Sequence, residues 1–490
     1  MKPKTITSIP KTPTGISGLD EITAGGFPKG RATLICGSAG CGKSIFGIQF
    51  LFKGITEYNE PGVLMSFEET KSDLALNIKS LGIDMDKLEA SKKLRVEYVK
   101  IERSEIEETG EYDLEALFIR LNYAIDSIGA KRLVIDTIES LFGGIDNMAI
   151  LRSEIRRLFH WLKDKGITTI ITGERGEQTL TRQGLEEYVS DCVILLDFRV
   201  IDQVATRRLR VIKYRGSTHG TNEYPFLIDE KGISVLPITS LKLEHKISAD
   251  IISTGLASLD QLFVKGGIYR GSSILLSGPA GSSKTILASY FTAGSCKRKE
   301  KTLYFSFEES PEQLIRNMAS VGINLMPYIK SKTLYIHSSR PSLTGLEMHL
   351  LVLHRLIEEQ NPETVIVDPI SSLVTMGSNN EVRDMLVRVI DLLKTKRINA
   401  YFTSLTHLGG EVQDSTVDAV SSLADIWIQL SHEIEDNQHV RTLRIVKARG
   451  LGHETTVQHF IITPKGIQLR SSDKKMQFGK IMRGLPVNNI

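Results

Sequence analysis

Short apolar runs alternate along this chain with longer stretches of mixed polarity. "RATLICG" (31–37), "GVLMSF" (62–67), "RLVIDT" (132–137) and "ITTIITG" (167–173) are largely apolar and closed by polar residues. That is the pattern of strands buried on both faces of a parallel sheet. Between them "GKSIFGIQFLFKGI" (42–55) and "EIRRLFHWLKDKG" (154–166) carry apolar residues at helical spacing, the second stopping at Gly166. Strand–helix alternation predicts an α/β fold, a mostly parallel twisted sheet flanked by helices on both faces. Ligands then sit at the carboxyl ends of the strands.

The pattern is written twice. "TGISGLD" (14–20) recurs as "TGLASLD" (254–260), "GSAGCGKS" (37–44) as "GPAGSSKT" (278–285), and "VLMSFEET" (63–70) as "LYFSFEES" (303–310). "RLVIDTIESL" (132–141) recurs as "TVIVDPISSL" (364–373), and "VIKYRG" (211–216) as "IVKARG" (445–450). The order is the same and every offset lies between 232 and 241 residues. A period this long marks a duplicated domain rather than a solenoid repeat. Two domains are expected, 1–240 and 241–490, joined near the polar segment "PITSLKLEHKISAD" (237–250).

Composition narrows the class. The 490 residues are 41% hydrophobic and 24% charged with a net charge of +3, ordinary for a globular chain and no push towards nucleic acid. "CKRKEK" (296–301) is a local basic cluster that reads as a solvated loop. The four cysteines form no C-x-x-C pair or zinc spacing, and no apolar run approaches the ~18 residues of a membrane span. A reducing cytoplasmic setting is expected. No metalloprotease or Ser–His–Asp signature occurs among the eleven histidines.

The chemistry resides in the repeated motifs. Gly37–Ser44 matches G-x-x-x-x-G-K-[ST], follows a predicted strand and opens a helix. Its backbone N–H groups and helix N-terminus suit phosphate, Lys43 reaches the β- and γ-phosphates, and the Ser44 hydroxyl suits Mg²⁺. Gly278–Thr285 repeats it with Ser283 in place of the glycine before Lys284. Asp136 and Asp368 close apolar strands where a carboxylate would hold Mg²⁺ or its water, although an aspartate there can also cap a following helix. Glu68–Glu69 and Glu308–Glu309 close the strand after each loop helix; one of each pair can face the γ-phosphate and activate a nucleophile, or favour a helix N-terminus. Lys213 and Arg215, like Lys447 and Arg449, lie two apart on one strand face, with His219 and His453 following. Far along the chain from the loops, they can act on a neighbouring subunit's ATP.

The tandem order of loop, "SFEE", "IDxI" and "KxRGxxH" resembles the KaiC family of circadian clock proteins over nearly the whole chain. The resemblance implies two RecA-like P-loop NTPase domains stacked as a double-ringed homohexamer, with ATP and Mg²⁺ between subunits. It implies a slow ATPase in the first ring and a serine/threonine autokinase and autophosphatase in the second, with a timing or signalling role. Its catalytic glutamates fall on Glu68, Glu69, Glu308 and Glu309. Its nucleotide contacts fall on Gly37, Ser38, Ala39, Gly40, Cys41, Gly42, Lys43 and Ser44, and on Ser80, Ser217 and Asp229. In the second copy they fall on Gly278, Pro279, Ala280, Gly281, Ser282, Ser283, Lys284 and Thr285. Its trans-acting cations fall on Lys213, Arg215 and His219, with Tyr214 between, and on Arg441, Lys447 and Arg449, with Ala448 between. Its metal positions fall on Ser44, Asp136, Thr285, Glu308 and Asp368. Its phosphorylated pair falls on Ser421 and Ser422, with Thr416 upstream; the first copy has Glu187 and Tyr188 there.

Several positions depart from the family. Ser422 replaces a threonine, Val321 the adenine-stacking tryptophan, and Thr375 an arginine near the second site. "FGKIMRGLPVNNI" begins the family's C-terminal loop without the long tail that KaiA grips, so control by a KaiA-like protein is not expected. Segment 111–120, "EYDLEALFIR", resembles the first-ring segment engaged by KaiB. A RecA-like nucleic-acid motor would need basic channel loops, and "GGIDNMAILRSE" and "MGSNNEVRDM" are not notably basic. A non-catalytic, nucleotide-gated scaffold would show turnover unchanged by Glu68→Gln and Glu308→Gln.

Overall fold

The computed structural model describes residues 9–79, 82–99, 115–142, 148–176, 179–181, 190–201, 204–237, 248–340, 345–376, 379–406, 420–435, 438–463 and 466–471. Ser80, Thr416, Glu187, Tyr188, residues 111–114 and the stretch 478–490 lie outside the described residues. The chain divides into two compact units, Met1–Thr239 and Ser240–Ile490.

In the first unit nine strands lie side by side in the order Gly232–Val235, Glu223–Asp229, Val204–Tyr214, Cys192–Ile201, Ala32–Gly37, Thr168–Glu174, Arg132–Asp136, Gly62–Ser66 and Leu94–Tyr98. From Cys192–Ile201 onward every pairing is parallel; the remaining strands join antiparallel. The second unit repeats this arrangement, with Ser273–Gly278 between Asn399–Leu405 and Ile426–Glu435. In both sheets the strand leading into the glycine-rich loop is central and wholly buried.

Both faces of each parallel strand are covered, which explains the unbroken apolar runs. Along Arg132–Asp136, Val134 packs into one cluster with Phe46, Phe50 and Leu64, while Leu133 and Ile135 pack into another with Leu34, Met65, Leu158 and Leu162. The period of two sends neighbours to opposite helical layers. Burying each such side chain contributes roughly 1.5–3 kcal/mol. None of the described helices is long and apolar enough to cross a membrane.

The two units hold the same corner together with different residues. In the first, the fully buried Arg132 guanidinium pairs with Glu60 at 2.7 Å and donates to the carbonyls of Phe50 and Pro13, each at 2.9 Å. The helix passes over it at Gly54, where a Cβ would lie 2.4 Å from Arg132 Cδ. In the second unit Thr364 occupies the strand position of Arg132 and Ser295 the helix position of Gly54, and their hydroxyls meet at 2.7 Å. Glu300, aligned with Glu60, takes its cations from Arg298 and Arg270 instead, both at 2.7 Å. "CKRKEK" is therefore no solvated loop throughout: Arg298 and Glu300 in it form a partly buried lock beneath the helix.

Burial alone would push the Glu300 carboxyl up. Hydrogen bonds from Arg298, Arg270 and Ser295 more than offset it and hold the carboxyl at about 2. A folded pKa below the unfolded one gives stability present above pH ~4.5 and lost as pH falls towards 2. Glu300→Gln is expected to cost about 2 kcal/mol at neutral pH, after discounting for partial solvent access, and to flatten the acid side of the second unit's unfolding curve. Denaturant melts between pH 3 and 7 measure this.

Candidate functional site

Each loop bridges a central strand and a helix N-terminus, so its amides and the positive end of the helix dipole converge at the strand's carboxyl end. In the first, Gly40 and Gly42 adopt φ of +74° and +105° before the helix Lys43–Tyr58. The Lys43 ammonium lies inside the loop, donating to the carbonyls of Gly37 and Ser38 at 3.0 and 3.1 Å. In the second, Lys284 donates to Gly278 and Pro279 at 2.8 and 2.9 Å. Burial lowers its ammonium to about 8 against the pull of Asp368 and Glu308. At that value the ammonium is still mostly charged at neutral pH, and a phosphate in the loop would stabilise the charge further.

Ser283 sits at φ +78°, ψ +27°, the left-handed region that the glycine at this step normally supplies. A serine there carries a backbone cost of roughly 1 kcal/mol. The same change would cost more in the first loop, because Gly42 is further out at φ +105° and a Cβ would lie 2.6 Å from Ile228 Cδ1, so that side chain would have to shift. Ser283→Gly is expected to stabilise the second unit by about 0.5–1 kcal/mol and to alter ATP affinity, measurable by melting and nucleotide titration. Equal affinity in the two forms would show that this residue tunes nothing.

The paired glutamates are separated by their donors in the same sense in both units, although Pro369 replaces the donor Thr137 in the second. Glu68 accepts from Thr137 at 3.0 Å and Ser140 at 3.2 Å, and Glu308 from Ser372 at 3.0 Å, all beyond the strand-end aspartates. Glu69 instead accepts from Asn77 at 3.2 Å and Glu309 from Asn317 at 2.8 Å. The first member of each pair therefore leans towards the aspartate and the second towards the neighbouring helix. These two asparagines were a legible signal, since they recur at matching places in the repeat.

Asp136 and Asp368 are buried at the ends of their strands, each accepting a hydrogen bond from a threonine of the next strand, Thr172 and Thr403. Burial raises the Asp136 carboxyl; Thr172 and the Ser44 hydroxyl of the loop pull it back. In the second unit Lys284, Thr285, Glu308, Glu309, Asp368 and Val321 line one cleft of about 720 Å³. Arg441, which the resemblance groups with Lys447 and Arg449, lines this same cleft of its own chain. Its counterpart Arg207, absent from the sequence reading, stacks over Phe198 at 4.7 Å; burial raises the nearby Cys41 thiol, with Lys43 and, less, Arg207 opposing.

Lys447 donates to the Ser421 carbonyl and Arg449 to the Ser422 carbonyl. In the first unit Lys11 donates to Ser217 at 2.6 Å, and the Tyr214 hydroxyl donates to the Gly26 carbonyl at 2.8 Å, so the Tyr214 side chain is committed to the core. His219 stacks beside it at 6.5 Å. Asp229 follows Ile228, the residue that packs on the first loop. Thr375 belongs to the 3₁₀ turn Ile370–Met376.

Two phosphate loops, each at the centre of a largely parallel sheet with a strand-end aspartate opposite, define a tandem RecA-like P-loop nucleotide-binding protein. The family model described as the KaiC ATPase matches twice, over residues 12–240 and 252–474. The chain is 52% identical over 465 residues to the circadian clock protein KaiC2 of Synechocystis sp., covering 94% of this chain and 82% of that one. It is 35% identical to the circadian clock oscillator proteins KaiC of Synechococcus elongatus, over 98% of this chain and 92% of that one, and of Thermosynechococcus vestitus, with the same coverage. This chain belongs to the KaiC family.

Proposed function

We propose that the chain is a two-ring ATPase whose second unit is also an autokinase, transferring the γ-phosphoryl group of ATP to Ser421 and Ser422 of a neighbouring copy, with Thr416 a further acceptor. The observation that carries this is the hold of Lys447 and Arg449 on the carbonyls of those two serines. The acceptor segment and the cations travel together, and none of the four lines its own chain's cleft. Meeting a γ-phosphate then takes a second copy, which supports a ring, and a homohexamer by family.

The donor set suits Mg²⁺: hydroxyls of Ser44 and Thr285 and carboxylates of Asp136 and Asp368, with Glu308 nearby, all hard oxygens. When bound, Mg²⁺ neutralises charge on the β- and γ-phosphates. Glu308 accepts the serine hydroxyl proton, the serine oxygen bonds to the γ-phosphorus, and the bond to the β–γ bridging oxygen breaks, releasing ADP. Lys284 holds the bridging region, and Lys447 and Arg449 stabilise the transferring group from the acceptor's side. In the first unit Glu68 serves a water instead, and Lys213, Arg215 and His219 are the reaching cations. Nucleotide contacts at Ser217 and Asp229, and at the backbone of Tyr214 and Ala448, belong to the same reading. On the helix Glu115–Ile128, Ile119 and Tyr123 are 65% and 66% exposed, which supports a protein partner, KaiB-like by family, on that face.

Incubation with ATP and Mg²⁺ followed by phosphopeptide mapping tests the autokinase. Phosphate is expected on Ser421 or Ser422, and in the Ser421→Ala/Ser422→Ala form on Thr416 at most. No phosphate on 411–426 would sink it, leaving an ATPase only.

A further inference from the structure

The two strand-end carboxylates are held differently. Beyond its threonine partner, Asp368 accepts a second hydrogen bond, at Oδ2, from the Tyr304 hydroxyl at 2.6 Å. Tyr304 is fully buried in the adjacent strand, which pairs in parallel with the strand of Asp368. The matching residue of the first unit is Leu64, packed in one apolar cluster with Ile48 of the loop helix. In the second unit Ser289 stands in place of Ile48. Its buried hydroxyl faces the Tyr304 phenol and has no other partner among the described residues. An apolar pair in one copy is thus a polar pair beneath the carboxylate in the other.

Burying a phenol costs roughly 1–3 kcal/mol unless it is hydrogen-bonded, and Asp368 is the acceptor that offsets this. An aspartate carboxylate turns easily about its last torsion. In the first unit the donors to Asp136 are Thr172 and the Ser44 hydroxyl, the latter a cation holder that turns away when the ion binds; in the second, Thr403 and Tyr304 both lie in the sheet, keep both oxygens held and set the plane. We propose that Tyr304 is a positioning residue of the second nucleotide site, fixing the Asp368 carboxylate plane and so setting that site's divalent-cation affinity apart from the first site's. This rests on reading Thr285 and Asp368 as holders of the cation. Outer-shell partners of this kind change metal affinity by about 10–100-fold.

The test is a Mn²⁺ titration of the full chain saturated with ADP, with free Mn²⁺ read by electron paramagnetic resonance. Wild type is expected to show two classes of Mn²⁺ site. Tyr304→Phe is expected to weaken one class about 10-fold and leave the other in place. Ser289→Ile/Tyr304→Leu rebuilds the first unit's own apolar pair, keeps the core filled, and is expected to shift the same class in the same direction. ADP affinity in EDTA reports whether the loop is intact, and the double variant decides if Tyr304→Phe loses it. Mn²⁺ affinities unchanged in both variants, or weakened equally at both classes, overturn the proposal. No nucleotide-dependent Mn²⁺ site in wild type would instead overturn the underlying reading of the cation holders.

Discussion

Glu308→Gln is expected to slow phosphoryl transfer at the second site by about 10²–10⁴-fold, the range for removing a positioned general base. Glutamine keeps the size and the contact with Ser372 but cannot accept the proton. Nucleotide affinity should stay within about twofold, because the loop amides and Lys284 are untouched. Glu309→Gln should cost far less: its carboxylate is occupied by Asn317 and leans towards the neighbouring helix. Single-turnover transfer from labelled ATP, with nucleotide binding measured separately, distinguishes the two. A larger loss from Glu309→Gln than from Glu308→Gln would exchange their roles.

Arg132→Ala should lower the stability of the first unit by about 3 kcal/mol. Glu60 stays about one-quarter exposed and can be rehydrated, which limits the loss. The Phe50 and Pro13 carbonyls lose their donor, and the stacking of the guanidinium over Phe50 at 4.4 Å disappears. For a unit of this size that is a fall of about 6–12 °C in its melting temperature. Calorimetry should show the loss confined to the first unit, whose helix at Gly54 is shaped around the arginine. A first-unit melting temperature unchanged by the substitution would mean that the corner is not held by this residue.

Much of the fold was legible because strands buried on both faces advertise themselves as unbroken apolar runs, and because the repeat supplied each motif with a control. The loops, the strand-end aspartates and the paired glutamates were found this way. What escaped was set by contacts across the sheet. Arg132 was only one letter of a strand and Arg298 part of a basic cluster read as a solvated loop, yet each closes a corner against a glutamate at the same place in its unit. Tyr304 escaped because a phenol with a carboxylate in reach and a phenol without one are the same letter.

The amino-acid sequence by itself determined the duplication, the parallel α/β architecture and the family, since periodicity and loop chemistry are local properties of the chain. Tertiary structure decided which member of each glutamate pair faces the aspartate, that Ser283 occupies a left-handed backbone position, and that Lys447 and Arg449 grip the segment carrying Ser421 and Ser422. Those outcomes depend on distances between residues far apart along the chain. Hydrogen bonds and charges act only over a few ångströms, so folding alone establishes which of them meet.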